Sequence, residues 1–155
     1  MRRLIHLLMA IGFCSMLAGC SKQINEYGDM TTIQYSTIFE QDGLEYYVYI
    51  YRPYVNNDNY CYYCELIKND IFAYANFARK HKQARPIYII NYNDKSANAG
   101  MYVSTGENHS INATTYTEIK IRTVPYLMLI ERGKVTKDWD EATPIREELN
   151  QQMAK

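Results

Sequence analysis

From residue 44 onward, apolar positions recur with two distinct periods. Leu44 to Arg52 (LEYYVYIYR) is aromatic and β-branched, with Tyr47, Tyr49 and Tyr51 on one side and Val48 and Ile50 on the other, the alternation of a strand. Pro53 to Tyr60 contains Asn56, Asn57, Asp58 and Asn59 and reads as a turn-rich loop. From about Tyr62 to Lys82, Ile67, Ile71, Tyr74, Ala75 and Ala78 fall on one helical stripe. Glu65 in the first turn and Arg79, Lys80, His81 and Lys82 in the last suit the dipole at each helix end. Pro86 blocks continuation. The run PIYIINY, residues 86–92, is short and apolar on both faces, as a buried central strand is.

Residues 93–115 lack a clear period and are rich in Asn, Ser, Thr and Gly. A structureless loop of that length is uncommon in a compact domain, so a short helix is expected inside it. Asn108-His-Ser and Asn112-Ala-Thr fit the glycosylation pattern, but the N-terminal segment described below argues against that modification. Next, IKIRTVPYLMLIERGKVTKDWD gives a proline-initiated strand, a turn over Glu131 to Lys134 containing Gly133, and a second strand ending at Trp139, expected as core or rim packing. So short a link makes the two strands an antiparallel hairpin. Thr143-Pro144 opens a last helix, with proline at a permitted first-turn position. The order strand, helix, strand, long connection, hairpin, helix predicts an α/β domain: a mixed sheet of parallel strands plus a C-terminal antiparallel hairpin, flanked by helices.

The N-terminal stretch is different in kind. Arg2 and Arg3 precede an apolar run from Leu4 to Leu17, interrupted by His6 and about fourteen residues long, against the ~20 needed to span a membrane. This is the order of an export signal. Its end, Leu17-Ala18-Gly19-Cys20, resembles the lipobox of bacterial lipoproteins, which implies cleavage before Cys20 and acylation of that cysteine. The expected organisation is therefore a signal peptide over 1–19, a tether and N-terminal element over 20–43, and a folded domain over 44–155. Loss of Arg2 and Arg3 from 17 basic residues leaves 15 against 17 acidic ones. That balance does not suggest a nucleic-acid partner. Of the four cysteines, Cys14 would leave with the signal and Cys20 would carry lipid. Cys61 and Cys64 remain, in a compartment where thiols can be oxidised.

Cys61-Tyr-Tyr-Cys64 sits where the helical stripe begins. Unpaired backbone N–H groups and the positive dipole end then surround the first sulfur and favour its thiolate. A two-residue spacer lets the second sulfur reach the first, so the pair can cycle between dithiol and disulfide, with Cys61 attacking and Cys64 resolving. A static disulfide is a poorer reason for the pair, because so short a loop restrains the unfolded chain little. Two cysteines with His81 and His109 could supply four metal ligands, but the histidine spacing fits no compact zinc pattern, and no metal is expected.

With these motifs in place, Leu44 to Met153 resembles the thioredoxin-like superfamily: a strand, a Cys-x-x-Cys opening a helix, a central strand, Thr123-Val124-Pro125 opening a hairpin, and a terminal helix. The resemblance implies that Pro125 is cis and faces the cysteines, and that Val124 pairs with substrate backbone. Tyr60, Tyr62 and Tyr63 would hold an extended peptide beside the sulfurs. The spacer Tyr62-Tyr63 departs from the family's usual pairs and brings no positive charge. The buried acid that the family keeps near the pair has no clear match, Glu45 on the preceding strand being the acid at hand. The implied activity is thiol–disulfide exchange with exported proteins on the extracytoplasmic face of a bacterial membrane, with lipid on Cys20, a redox partner protein and no cofactor beyond the Cys61–Cys64 disulfide. The alternative is a non-catalytic lipoprotein of the same fold, acting as a binding or export accessory module.

Overall fold

A computed structural model describes residues 22–54, 60–94 and 100–155. Its sheet has four strands: β1 (Glu45–Tyr51), β2 (Ile87–Asn91), β3 (Tyr126–Glu131) and β4 (Lys134–Trp139), in the order β2-β1-β3-β4. β1 runs parallel to β2 and antiparallel to β3, and β3 pairs antiparallel with β4. The mixed sheet expected from the sequence is thus present. The α-helices are α1 (Tyr62–Lys80) and α2 (Ala142–Met153).

The alternation along β1 sorts the core into two layers. Tyr47, Tyr49 and Tyr51, with Ile87, Ile89, Leu127 and Leu129, pack beneath Ile67, Ile71 and Tyr74 of α1 and Ile145 and Leu149 of α2. Both helices therefore cover one face. Tyr46, Val48, Ile50, Tyr126, Met128 and Ile130 point to the other face, which is closed by Tyr35, Ile38, Met101, Ala113, Ile119 and Ile121. Because both faces are covered, six of the seven residues of β1 are buried. In the hairpin, Arg132 and Gly133 both adopt positive φ (52° and 76°), as a two-residue primed turn requires.

Several boundaries differ from the sequence expectation. α1 ends at Lys80 and not Lys82, because His81 turns to an extended conformation (φ −119°, ψ 102°) as its C-cap. α2 begins at Ala142, with Glu141 as its N-cap, so Pro144 is its third residue, still in the first turn, where an N–H would have no partner in the helix. No helix forms among the described residues of 93–115. Gly100, Gly106 and Asn112 take positive φ there, and isolated bridges join Tyr102 to Ile121 and His109 to Lys120. The helical turn comes just afterwards, a 3-10 turn over Tyr116–Glu118 closed by a Thr115/Glu118 capping box.

The stretch 22–43, read from the sequence as tether and one weak element, carries two 3-10 turns and is packed from Ile24 onward. Ile24 and Met30 join the helix-side core, and Tyr35 and Ile38 join the other. Ile33 donates to Ile89 O (2.9 Å) and Ile89 to Thr31 O (3.0 Å), which covers the outer edge of β2. Among the described residues no helix is long and apolar enough to cross a membrane. The stretch expected from the sequence to be an export signal, with its lipobox-like end at Cys20, lies outside the described residues.

Candidate functional site

The register of the sheet assembles the site. Ile50 pairs with Tyr126, so the chain leaving β1 passes the chain entering β3. Just beyond that rung, Arg52 and Val124 border one depression together with Cys61 at the start of α1. Cys61 is the N-cap of α1, and its Sγ accepts a hydrogen bond from the backbone N–H of Cys64 (3.1 Å). The two sulfurs are joined as a disulfide, with Cα atoms 5.3 Å apart. Cys61 keeps 8% of its surface exposed whereas Cys64 keeps none, so only the first sulfur is placed to meet another molecule.

The Val124–Pro125 peptide bond is cis, and the Val124 carbonyl oxygen lies 3.6 Å from Cys61 Sγ. The loop leading to it is held by Asn108, whose Oδ1 accepts from the backbone N–H groups of Arg122 (2.7 Å) and Thr123 (3.1 Å). Its Nδ2 donates to Thr123 Oγ1 at 3.1 Å. Tyr60, Tyr62 and Tyr63 are 45%, 57% and 59% exposed, a large apolar surface to leave beside a disulfide. With Tyr54 they form a run of edge-to-face contacts, with centroids 5.4–6.4 Å apart.

Two depressions meet here. One, of about 370 Å³, is lined by Arg52, Tyr60, Cys61, Tyr62, Arg122 and Val124. The other, of about 460 Å³, is lined by Leu66, Val124, Pro125, Asp140, Glu141 and Ala142. The spacer itself brings no cation, but the fold delivers two: the Arg52 guanidinium lies over the Tyr92 ring (4.7 Å) and Arg122 Nη1 donates to Gly106 O (2.8 Å). Glu65, adjacent in sequence to Cys64, is ion-paired with Lys68 and lines a separate groove with it, so its charge is largely offset.

Glu45 does not serve as a buried acid beside the sulfurs. It is exposed at the far end of β1 from the site, where it pairs with Arg85 (2.8 Å). The buried polar groups on the cysteines' side of the core are tyrosines instead: Tyr27 stacks on Tyr51 (3.8 Å between centroids) and edges onto Phe72. Burial pushes the Tyr51 hydroxyl up to about 12, and pushes Tyr27 and Tyr49 upward as well. The four-ligand set is not assembled, since His81 caps the opposite end of α1 and the cysteines are bonded to each other. Trp139 is half-buried against the core, with its ring 6.2 Å from that of Tyr47.

Sequence reasoning singled out the cysteines, the tyrosines, Val124 and Pro125. It missed Arg52, Arg122 and Asn108. The first could have been found by continuing the β1–β3 pairing past its last rung, whereas the role of Asn108 depends on an irregular loop with no periodic signal.

No family model matches the sequence, and no curated protein matches it. Its fold does have solved counterparts. Thioredoxin f2 of Chlamydomonas reinhardtii superposes with a TM-score of 0.51 at 14% identity, over 79% of this chain and 94% of that one. Thioredoxin of Malassezia sympodialis (Mala s 13) superposes with a TM-score of 0.51 at 11% identity, over 80% and 90%. The fold is thioredoxin-like, and it carries a disulfide-forming Cys-x-x-Cys pair at the start of its first long helix.

Proposed function

We propose that this protein is a thiol–disulfide oxidoreductase, tethered to the extracytoplasmic face of a bacterial membrane and acting on exported proteins. The observation that carries it is the setting of the Cys61 sulfur: at a helix N-terminus, hydrogen-bonded by the Cys64 amide, 3.6 Å from the carbonyl before Pro125 and facing an open depression.

In the reduced protein, the Cys61 thiolate attacks one sulfur of a substrate disulfide. The substrate S–S bond breaks, a mixed disulfide forms, and the departing substrate thiolate takes a proton. Cys64 then gives up its proton and attacks Cys61 Sγ, which releases the second substrate thiol and closes the Cys61–Cys64 bond. Two electrons pass to the substrate, and a dithiol partner protein restores the pair. Run backward, the same steps oxidise a substrate dithiol. Val124 and Pro125 would position the substrate backbone, and Tyr60, Tyr62 and Tyr63 would grip the chain on either side of its cysteine.

The tether follows from the lipobox resemblance. Ile24, four positions after Cys20, is already buried, and residues 22–24 are held by α1 through Arg79 to Lys22 O (3.0 Å) and the paired bonds between Asn76 and Ile24 (2.8 and 2.9 Å). These contacts lie ~25 Å along the helix from Cys61, at 1.5 Å per residue. A lipid on Cys20 would thus hold the domain close to the membrane with the disulfide near the far end of α1.

Cys64→Ala removes the resolving thiol and should accumulate mixed disulfides between Cys61 and exported proteins, visible as adducts that a reductant dissolves. If none form in cells, the proposal is wrong.

A further inference from the structure

The charges around the disulfide are segregated. Arg52 and Arg122 line the depression that contains Cys61, which has no acidic lining residue. Asp140 and Glu141 line the adjoining one, which has no basic lining residue. The two share Tyr63, Thr123 and Val124 and so form one continuous trough past the sulfur. Among the described residues none of these four charges has an ion-pair partner, whereas Glu65, Asp70 and Arg146 on the neighbouring helix surfaces are all paired. Glu141 is the N-cap of α2 yet makes no capping bond through its side chain. Exposed aromatic and apolar side chains, Tyr60, Tyr62, Tyr63 and Leu66, line the same trough. Tyrosines and a leucine supply contact area to an extended peptide without regard to its direction. Oppositely charged ends supply direction.

We infer that the trough selects peptide segments in which the reacting cysteine has acidic side chains on one side, lying over Arg52 and Arg122, and basic ones on the other, lying over Asp140 and Glu141. This rests on the disulfide-exchange proposal and adds a substrate class to it. Two such segments with the same composition but opposite order of charges are distinguished, because only one order satisfies both ends once the backbone is seated at Val124.

The test uses two synthetic peptides of identical composition. One has two glutamates before and two lysines after a central cysteine, and the other reverses them. Each cysteine is joined as a mixed disulfide to a chromogenic thiol. Attack of the Cys61 thiolate on the peptide sulfur forms the enzyme–peptide disulfide and releases the chromogenic thiolate, which reports the rate. Exposed ion pairs of this kind give a discrimination of roughly three- to tenfold between the two orders at low salt. High salt should erode it. Both Arg52→Gln with Arg122→Gln and, independently, Asp140→Asn with Glu141→Gln should bring the ratio toward one; the second pair is exposed, so its folding is not at stake. Equal rates for the two orders, or a ratio that neither double variant moves, would overturn the inference while leaving disulfide exchange intact. A protein that attacks neither peptide would overturn both.

Discussion

Replacing Cys64 by alanine and reducing the protein leaves the Cys61 sulfur alone at the start of α1. The backbone N–H of residue 64 still points at it from 3.1 Å, because that bond needs no side chain at position 64. A negative charge at a helix N-terminus is favoured by ~0.3–1 kcal/mol at an exposed position and up to ~2 kcal/mol where partly buried. With Cys61 only 8% exposed, the upper part of that range applies. Half-buried Arg52 and exposed Arg122 border the same depression, and such charges add ~0.2–1 kcal/mol each. Burial of the sulfur opposes both effects by penalising the charged form. A balance of ~1.5–2 kcal/mol in favour of thiolate corresponds to an acid dissociation constant roughly ten- to thirtyfold larger than that of a free cysteine. The ultraviolet absorbance of the thiolate across a pH titration, with the pH dependence of alkylation as a second readout, measures this directly. Arg52→Gln in the same background should lower the advantage about twofold. A Cys61 that ionises and alkylates like a cysteine in an unstructured peptide would refute the reasoning at its root.

Three further outcomes are expected. Asn108→Ala removes the acceptor shared by the Arg122 and Thr123 amides; disulfide exchange should slow while stability falls by only ~1 kcal/mol, and Asn108→Asp, which keeps the acceptor, should restore the rate. Tyr35, Tyr51 and Tyr74 are held up to about 12 by burial, so the neutral form is favoured in the fold. Their contribution is complete below the unfolded value of 10.0 and lost as pH rises toward 12. Chemical denaturation should therefore show stability falling above pH ~10 by up to ~1.4 kcal/mol per pH unit for each such tyrosine, and a flat profile there would contradict their burial. Arg146→Ala breaks the ion pair to Asp70 (2.8 Å) that links α2 to α1, and because both side chains are about a third exposed the loss should stay under ~1 kcal/mol by denaturant titration.

The helix and sheet were legible where one period dominates. Tyr47, Tyr49 and Tyr51 sort to one core layer and Val48 and Ile50 to the other, as their alternation demands, and the stripe from Ile67 to Ala75 faces the sheet. The segments that lack a period were not legible. Residues 22–43 bury Ile24, Met30, Tyr35 and Ile38 through single apolar residues spaced irregularly among polar ones, so nothing in their pattern distinguishes a packed strap from a tether. The connection after β2 is held by bridges between distant residues, His109 with Lys120 and Tyr102 with Ile121, which local sequence cannot reveal. The cysteine pair was visible because its chemistry is local: a spacing, and a helix start. Its electrostatic surroundings were not, because Arg52 and Arg122 are 70 residues apart and meet only through the β1–β3 register.

The most direct test is disulfide reduction by the purified protein. A small dithiol supplies electrons, a protein disulfide accepts them, and wild type is compared with Cys61→Ser. Turnover well above the dithiol alone for wild type, and none above it for the variant, is the expected result. If the two proteins reduce the substrate equally, Cys61 is not the working nucleophile and the proposed chemistry is wrong.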